Sequence, residues 1–246
     1  MPTPRVSPNP SSKPLAIRTG GDGRLLHVRR VLRRLEAQYE FSDLGNKDNP
    51  LDELLFFILS ARTPERRYHM AYRHLRDAVG DWQNLLTTDA LTLAVAIGDA
   101  GLSLSKALTV QGIAYSLQAC VGAVSLDCLR DMPTPDAEAF LLTLPGVGVK
   151  IAKCVLVFSL GRPVFPIDTH CLRIARRFGW FTMGTAPTYD QAQSIERCIP
   201  PSARARLHIR LIQHGRSVCQ PRQPHCERCC LADLCLTAAR GPGTRA

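Results

Sequence analysis

At 246 residues, 45% apolar and 21% charged, the chain can bury a sizeable core as one domain or two small ones, and its composition is that of an ordinary globular protein. The formal net charge of +10 favours a polyanionic partner without naming one. No apolar run reaches the roughly 20 residues that span a bilayer, and no basic stretch leads into an apolar core as in a secretory signal. A cytoplasmic or nucleoid location of bacterial type, with no membrane partner, is expected.

Residues 1–23 are rich in Pro, Ser and Gly, with Arg5, Lys13 and Arg18 and no acid before Asp22. They are expected to be a disordered basic tail, as are residues 237–246, because too little apolar surface offsets the cost of ordering. A helix is predicted from Arg24 to Glu40, with Leu25, Val28, Val31, Leu32 and Leu35 on one stripe and Arg29, Arg30, Arg33 and Arg34 on the solvated faces.

From Leu51 to Cys128 the pattern stays helical. Leu54, Leu55, Ile58 and Leu59 form one stripe ending at Ser60-Ala61-Arg62-Thr63-Pro64, and Tyr68, Ala71, Tyr72 and Leu75 form another. Further helices are predicted at Leu91–Ile97 and Lys106–Cys120. Gly98 and Gly101 interrupt the chain between them and leave Gly101–Lys106 as a loop entering a helix. Pro133-Thr134-Pro135-Asp136 reads as a helix start, with Thr134 as cap and Pro135 first in the helix. Pro145 ends that helix. Helices are also predicted at Thr169–Phe178 and Arg204–Gly215. Alternating strand patterns and long-period repeats are absent, so the fold class is all-α.

The chain is organised around Leu144–His170. Leu144-Pro145-Gly146-Val147-Gly148-Val149-Lys150 is a glycine hairpin between two helices. Its backbone N–H groups, at the positive end of the second helix, suit a phosphate and would contact DNA through Gly146, Val147, Gly148 and Val149 without reading sequence. The bland alternative is a plain turn. Lys150 is either one more phosphate contact or a nucleophile, for which the helix start and partial burial favour the neutral amine. Asp168, directly before Thr169, is a helix cap that can also present an oxygen to a substrate.

Ten cysteines are present, five of them between Cys219 and Cys235. Cys219, Cys226, Cys229 and Cys235 have the spacing C-x6-C-x2-C-x5-C. Zinc prefers two close pairs, so a cubane iron–sulfur cluster fits better. Cys230, next to Cys229, leaves the third ligand ambiguous. Arg216, Arg222 and Arg228 either rest on a phosphate backbone or offset the ligand charge.

LPGVGVK, an aspartate 18 positions later in PIDTH, and HGRSVC opening the four-cysteine loop together resemble the endonuclease III family of base-excision-repair DNA glycosylases, over residues 24–236. The resemblance implies two helical domains: a six-helix barrel at 50–143, and a domain of 24–49 plus 144–236 carrying the helix-hairpin-helix and a [4Fe-4S] cluster, with DNA in the cleft between them. It implies that Lys150 is the nucleophile and Asp168 the essential carboxylate. The activity implied is combined glycosylase and AP-lyase action by a monomer on double-stranded DNA with damaged bases or abasic sites. Thr169 and His170 follow as DNA contacts. Leu102 matches the apolar residue pushed into the gap left by the flipped base, unless it folds back onto the core. The family commonly has glutamine after the serine-alanine pair. Here the residue is Arg62, which leaves the lesion and opposite base open, with oxidised pyrimidines as the family default. Two competing readings are a non-catalytic module with a zinc-stabilised tail and a monofunctional mismatch glycosylase; Lys150 and the short run after Cys235 oppose the second.

Overall fold

The computed structural model describes residues 21–40, 44–181 and 187–239. Among them the regular structure is helical: α1 (Gly21–Gln38), α2 (Pro50–Ser60), α3 (Glu65–Val79), α4 (Ala90–Ala96), α5 (Ser103–Val121), α6 (Thr134–Thr143), α7 (Val149–Phe158), α8 (Thr169–Arg177), α9 (Tyr189–Arg197), α10 (Arg204–Ser217) and α11 (Leu236–Ala239), with short 3-10 turns between. The all-α expectation holds. No described helix is long and apolar enough to cross a membrane.

The expected tails fall largely outside the described residues, at 1–20 and 240–246. Gly21–Gly23 are not tail but the first turn of α1, and Thr237–Ala239 belong to α11. Boundaries judged from an apolar stripe stop at its first and last apolar residue, so polar end turns go uncounted.

The chain divides into two compact units, Asp43–Pro166 and Met1–Ser42 with Ile167–Ala246. This division differs from the expected boundaries at 49/50 and 143/144. The hairpin and α7 group with α2–α6, because α7 packs on α2 and α6. With α7 included, the first of these units holds six α-helices.

In the 43–166 unit, Leu54, Leu55 and Leu59 of α2, Leu75 of α3, Leu93 of α4, and Ile113 and Leu117 of α5 are fully buried. Asn49 starts α2 by accepting from the N–H groups of Leu51 and Asp52 at 2.9 and 3.1 Å, with Pro50 at the first helical position. At α6 the cap is Pro133 and Thr134 is already helical, one residue off the expected register.

In the other unit, Val28, Val31 and Leu35 of α1 pack into a core with Phe178, Trp180, Ile199, Leu207 and Leu211. Buried His27 joins three segments: its Nε2 lies 2.9 Å from the Leu234 carbonyl and its Nδ1 accepts from Trp180 Nε1 at 3.0 Å. The sequence reading has no counterpart for α9, although Thr188 and Gln191 form a full capping box.

Candidate active site

The hairpin assigns different jobs to its two glycines. Gly146 has φ +73, and a Cβ there would meet the Thr109 methyl carbon at 2.7 Å, so the fold itself requires glycine. Gly148 has φ −101 and a Cβ there would meet nothing within 4 Å. It caps α7 with no side-chain hydrogen bond, which leaves the first N–H groups of that helix for another acceptor. Gly148 and Val149 are exposed, whereas Val147 is buried and its N–H already donates to the Leu144 carbonyl at 3.2 Å.

Lys150 follows in the first turn of α7. It is half-buried, with Nζ 4.0 Å from the centroid of the Phe57 ring on α2. One turn back on α2, Glu53 is fully buried. Its carboxylate accepts from the Lys47 N–H at 2.7 Å and from the Asn46 amide. Burial pushes this carboxyl up to about 7, against hydrogen bonds from Asn46 and Lys47 and the charges of Lys47 and Lys150. The sequence reading missed Glu53; an acid one residue ahead of a buried leucine pair was the available signal.

Arg62 and Leu102 stand at the ends of two loops of the same unit. Both have positive φ, 55° and 50°, and they are the non-glycine residues that do so among those described. Both are exposed, Leu102 at 64%, so the leucine does not fold back onto the core. Left-handed backbone at an L-residue costs about 1–2 kcal/mol.

Asp168 caps α8: its Oδ1 accepts from the Cys171 N–H at 2.7 Å. Burial pushes its carboxyl up, but buried His208, the Cys171 N–H and His170 outweigh that and hold it below the ordinary range, so it is ionised at neutral pH. Thr169 is exposed. His170 accepts from Arg173 Nη2 through Nδ1 at 3.1 Å, which puts its proton on Nε2. Burial, the first cause, pushes the ring down and favours its neutral form. α10 approaches α8 closely at Gly215, where a Cβ would meet His170 Nδ1 at 2.6 Å.

The cysteine loop wraps the ends of α8 and α10. Arg177 Nη1 donates to Cys219 Sγ at 2.9 Å, and the same guanidinium holds the carbonyls of Gln220 and Pro221. Arg173 holds the carbonyls of Cys219 and Gly215 at 2.9 and 2.8 Å. His214 Nε2 lies 3.4 Å from Cys229 Sγ, with Tyr39 Oη 2.9 Å from its other nitrogen. Burial pushes His214 down to about 4, so the ring is neutral at neutral pH. Burial likewise pushes up the thiols of Cys226, Cys229 and Cys235, Cys229 to about 12.

Cys229 lies in electrostatic reach of Cys230, Cys219 and Cys235, whereas Cys230 faces Arg34 and Asp233. Arg34 is not merely solvated: it pairs with Asp233 and donates to the Cys230 carbonyl at 3.0 Å. Among the described residues no three His, Cys, Asp or Glu side chains are placed to hold a single metal ion. The four thiols sit in one loop where two of the sulfurs already accept N–H donors, Cys219 from Arg177 and Cys229 from Leu231, chemistry that suits thiolate ligands of a larger group.

No protein-family model matches the chain. It is 31% identical to endonuclease III of Sulfolobus acidocaldarius over 196 residues, a match covering 78% of this chain and 83% of that protein. The chain belongs to the endonuclease III family. It is also 31% identical over 170 residues to a protein named as a DNA glycosylase in Arabidopsis thaliana, where the match takes in 69% of this chain but 58% of the longer plant protein. Among solved structures, a trapped endonuclease III–DNA covalent intermediate shares the fold with a TM-score of 0.77 at 22% identity, over 88% of this chain and 97% of that one. The endonuclease III family thus accounts for the helical fold.

Proposed function

We propose that the chain is a bifunctional DNA glycosylase and AP lyase of base excision repair, acting as a monomer on double-stranded DNA in a cytoplasmic or nucleoid setting. The observation that carries this reading is Lys150 in the first turn of α7, directly behind a glycine hairpin with an uncapped helix start. The Phe57 ring face lies 4.0 Å from the Lys150 Nζ and fixes the side chain's position.

The hairpin backbone grips a phosphate beside the lesion, and the damaged nucleotide leaves the stack because its C1′ is otherwise out of reach. The Lys150 nitrogen forms a bond to C1′ as the bond from C1′ to the base breaks, and the base leaves with the bonding pair. Asp168, ionised and fixed by the Cys171 N–H, stabilises the positive charge developing on the sugar and takes the lysine proton. Sugar ring opening leaves a Schiff base between Lys150 and C1′. Loss of a C2′ proton then expels the 3′ phosphate and nicks the strand. The substrates are damaged bases, oxidised pyrimidines first, with Arg62 and Leu102 filling the vacated space and Thr169 and His170 contacting the backbone.

Cys219, Cys226, Cys229 and Cys235 would hold a [4Fe-4S] cluster. When bound, that group supplies a rigid cross-link for the loop and an electron-transfer centre. Arg177, His214 and the Leu231 N–H are the donors available to its sulfurs.

Borohydride trapping on abasic duplex DNA tests the reading. The wild type is expected to cross-link, and folded Lys150→Ala is not; cross-linking by that variant would sink the assignment. Duplexes carrying one defined lesion each, scored separately for base release and nicking, separate a bifunctional enzyme from a monofunctional one.

A further inference from the structure

Lys106 is unusual for a lysine: it is 7% exposed, in the first turns of α5. Its ammonium has three N–H donors, and each finds a partner. The Leu59 carbonyl lies at 2.7 Å, the Thr63 hydroxyl at 2.6 Å and the Ala100 carbonyl at 2.8 Å. The Thr63 hydroxyl in turn donates to the Ala100 carbonyl. These partners belong to two segments. Leu59 and Thr63 flank Arg62 at the end of α2, and Ala100 stands two residues before Leu102 at the start of α5.

The knot therefore ties together the two loops that carry the two positive-φ side chains. Such backbone persists at an L-residue only where its surroundings leave no alternative. Here the fixing comes from below, through Lys106 and Thr63, while Arg62 and Leu102 themselves stay exposed. Burying a lysine costs folding free energy, and burial also pushes its amine below the ordinary range. An apolar residue of the same length would fill the space without that cost, but it could not bind two carbonyls and a hydroxyl at once.

We propose that Lys106 is a positioning residue: with the Thr63 hydroxyl it holds the Arg62 and Leu102 tips at one fixed spacing, so that the two enter the duplex together as a rigid two-pronged device. The inference rests on the reading of the chain as a base-flipping enzyme. It adds that extrusion of the base depends on a buried cation that touches neither DNA nor the reacting atoms.

Lys106→Met and Thr63→Val break the knot, and Thr63→Ser preserves its hydroxyl. Each variant is compared with wild type in three assays: thermal unfolding, borohydride trapping on DNA that already carries an abasic site, and single-turnover base release from a lesion duplex. An abasic site leaves no base to extrude, so trapping reports Lys150 with little demand on the tips. Base release by Lys106→Met and Thr63→Val is expected to fall about tenfold, the scale of a partly lost unstacking contribution, with trapping near wild type. Thr63→Ser is expected to keep wild-type release. Leu102→Ala is expected to cost less in the Lys106→Met background than in wild type, because an unlocked tip has less to lose.

Undiminished base release in the knot variants overturns the inference alone. An equal fall in trapping and release also overturns it, since that marks a general structural role. A wild type that neither traps nor releases overturns the reading of Lys150 and the inference with it. Should Lys106→Met fail to fold, the Thr63→Val and Thr63→Ser pair decides.

Discussion

Replacing Gly146 by alanine tests how the hairpin is built. At φ +73 an alanine pays about 1–2 kcal/mol for left-handed backbone. Its Cβ would also sit 2.7 Å from the Thr109 methyl carbon on α5, well inside ordinary contact, and overpacking of this kind costs about 1–3 kcal/mol. Alanine recovers about 0.4–1 kcal/mol by stiffening the unfolded chain. The expected net loss is about 1–4.6 kcal/mol, a sizeable part of the ~5–15 kcal/mol that holds a domain together. Thr109→Ser removes the offending methyl and keeps the hydroxyl bond to the Ser105 carbonyl at 2.9 Å. The double variant should therefore recover the packing share of the loss and not the backbone share. Urea unfolding of wild type, both single variants and the double variant measures the coupling directly. If Gly146→Ala lies within about 0.5 kcal/mol of wild type, or if the double variant is no better than the single, the packing assigned to this turn is wrong. Gly148→Ala is the contrast. Nothing in the fold opposes that methyl, so stability should be unchanged or slightly higher while affinity for duplex DNA falls. Unchanged affinity would remove Gly148 from the phosphate site.

Glu53→Gln should flatten part of the pH dependence of folding. The folded carboxyl, at about 7, lies above its unfolded value of 4.5, so its contribution is full below pH 4.5 and is lost as pH rises through 7. The loss is about 3 kcal/mol for such a difference. The stability gap between wild type and variant should therefore move in the variant's favour from pH 4.5 to pH 8, and a gap independent of pH would refute the burial effect. For the cysteine loop, purified protein should contain about four irons with visible absorption. Cys229→Ser should lose them and Cys230→Ser keep them; the reverse result would move the third ligand to Cys230. Arg62→Gln should change opposite-base or lesion discrimination by about tenfold, the worth of one charge-assisted hydrogen bond, in a panel of defined duplexes. Identical profiles would exclude Arg62 from specificity.

What was legible in the sequence was whatever repeats or sits at a fixed offset. The α2 and α3 stripes, the glycine break before α5 and the Asp168 cap follow from helical period and from short-range backbone chemistry, and all of these stand in the structure. What was not legible depends on residues far apart in the chain. Arg34 looked like one of four solvated arginines until Asp233 and the Cys230 carbonyl, about two hundred positions away, came beside it. Lys106 read as the first residue of a helix, because its partners at Leu59 and Thr63 have no periodic relation to it. Arg173, Arg177 and His214, which hold the cysteine loop, went unnoticed behind the arginines inside it. The α9 capping box was a missed local signal rather than a hidden one.

Several exceptions to local rules in the 43–166 unit sit together, while buried Glu138 and Lys153 lie apart from them on α6 and α7. The non-glycine residues with positive φ, the buried amine of Lys106 and the fully buried Glu53 lie on, or one step from, the segments 46–63 and 98–106. The α5 core obeys its pattern, with Ile113 and Leu117 fully buried. A fold selected for stability alone would place glycine at the two left-handed tips and an apolar residue at Lys106. Arginine and leucine at those tips lower stability and gain nothing inside the domain, because the Arg62 and Leu102 side chains leave it, and the buried Lys106 bonds serve to hold the tips. Gly148 is the mirror case: a side chain is absent where the fold has room for one. Departures of both signs, an exposed side chain the backbone resists and a missing side chain the backbone would accept, fit the proposed contact with a partner outside the chain. A duplex that supplies a gap for two tips and a phosphate for one bare helix start meets all three requirements at once.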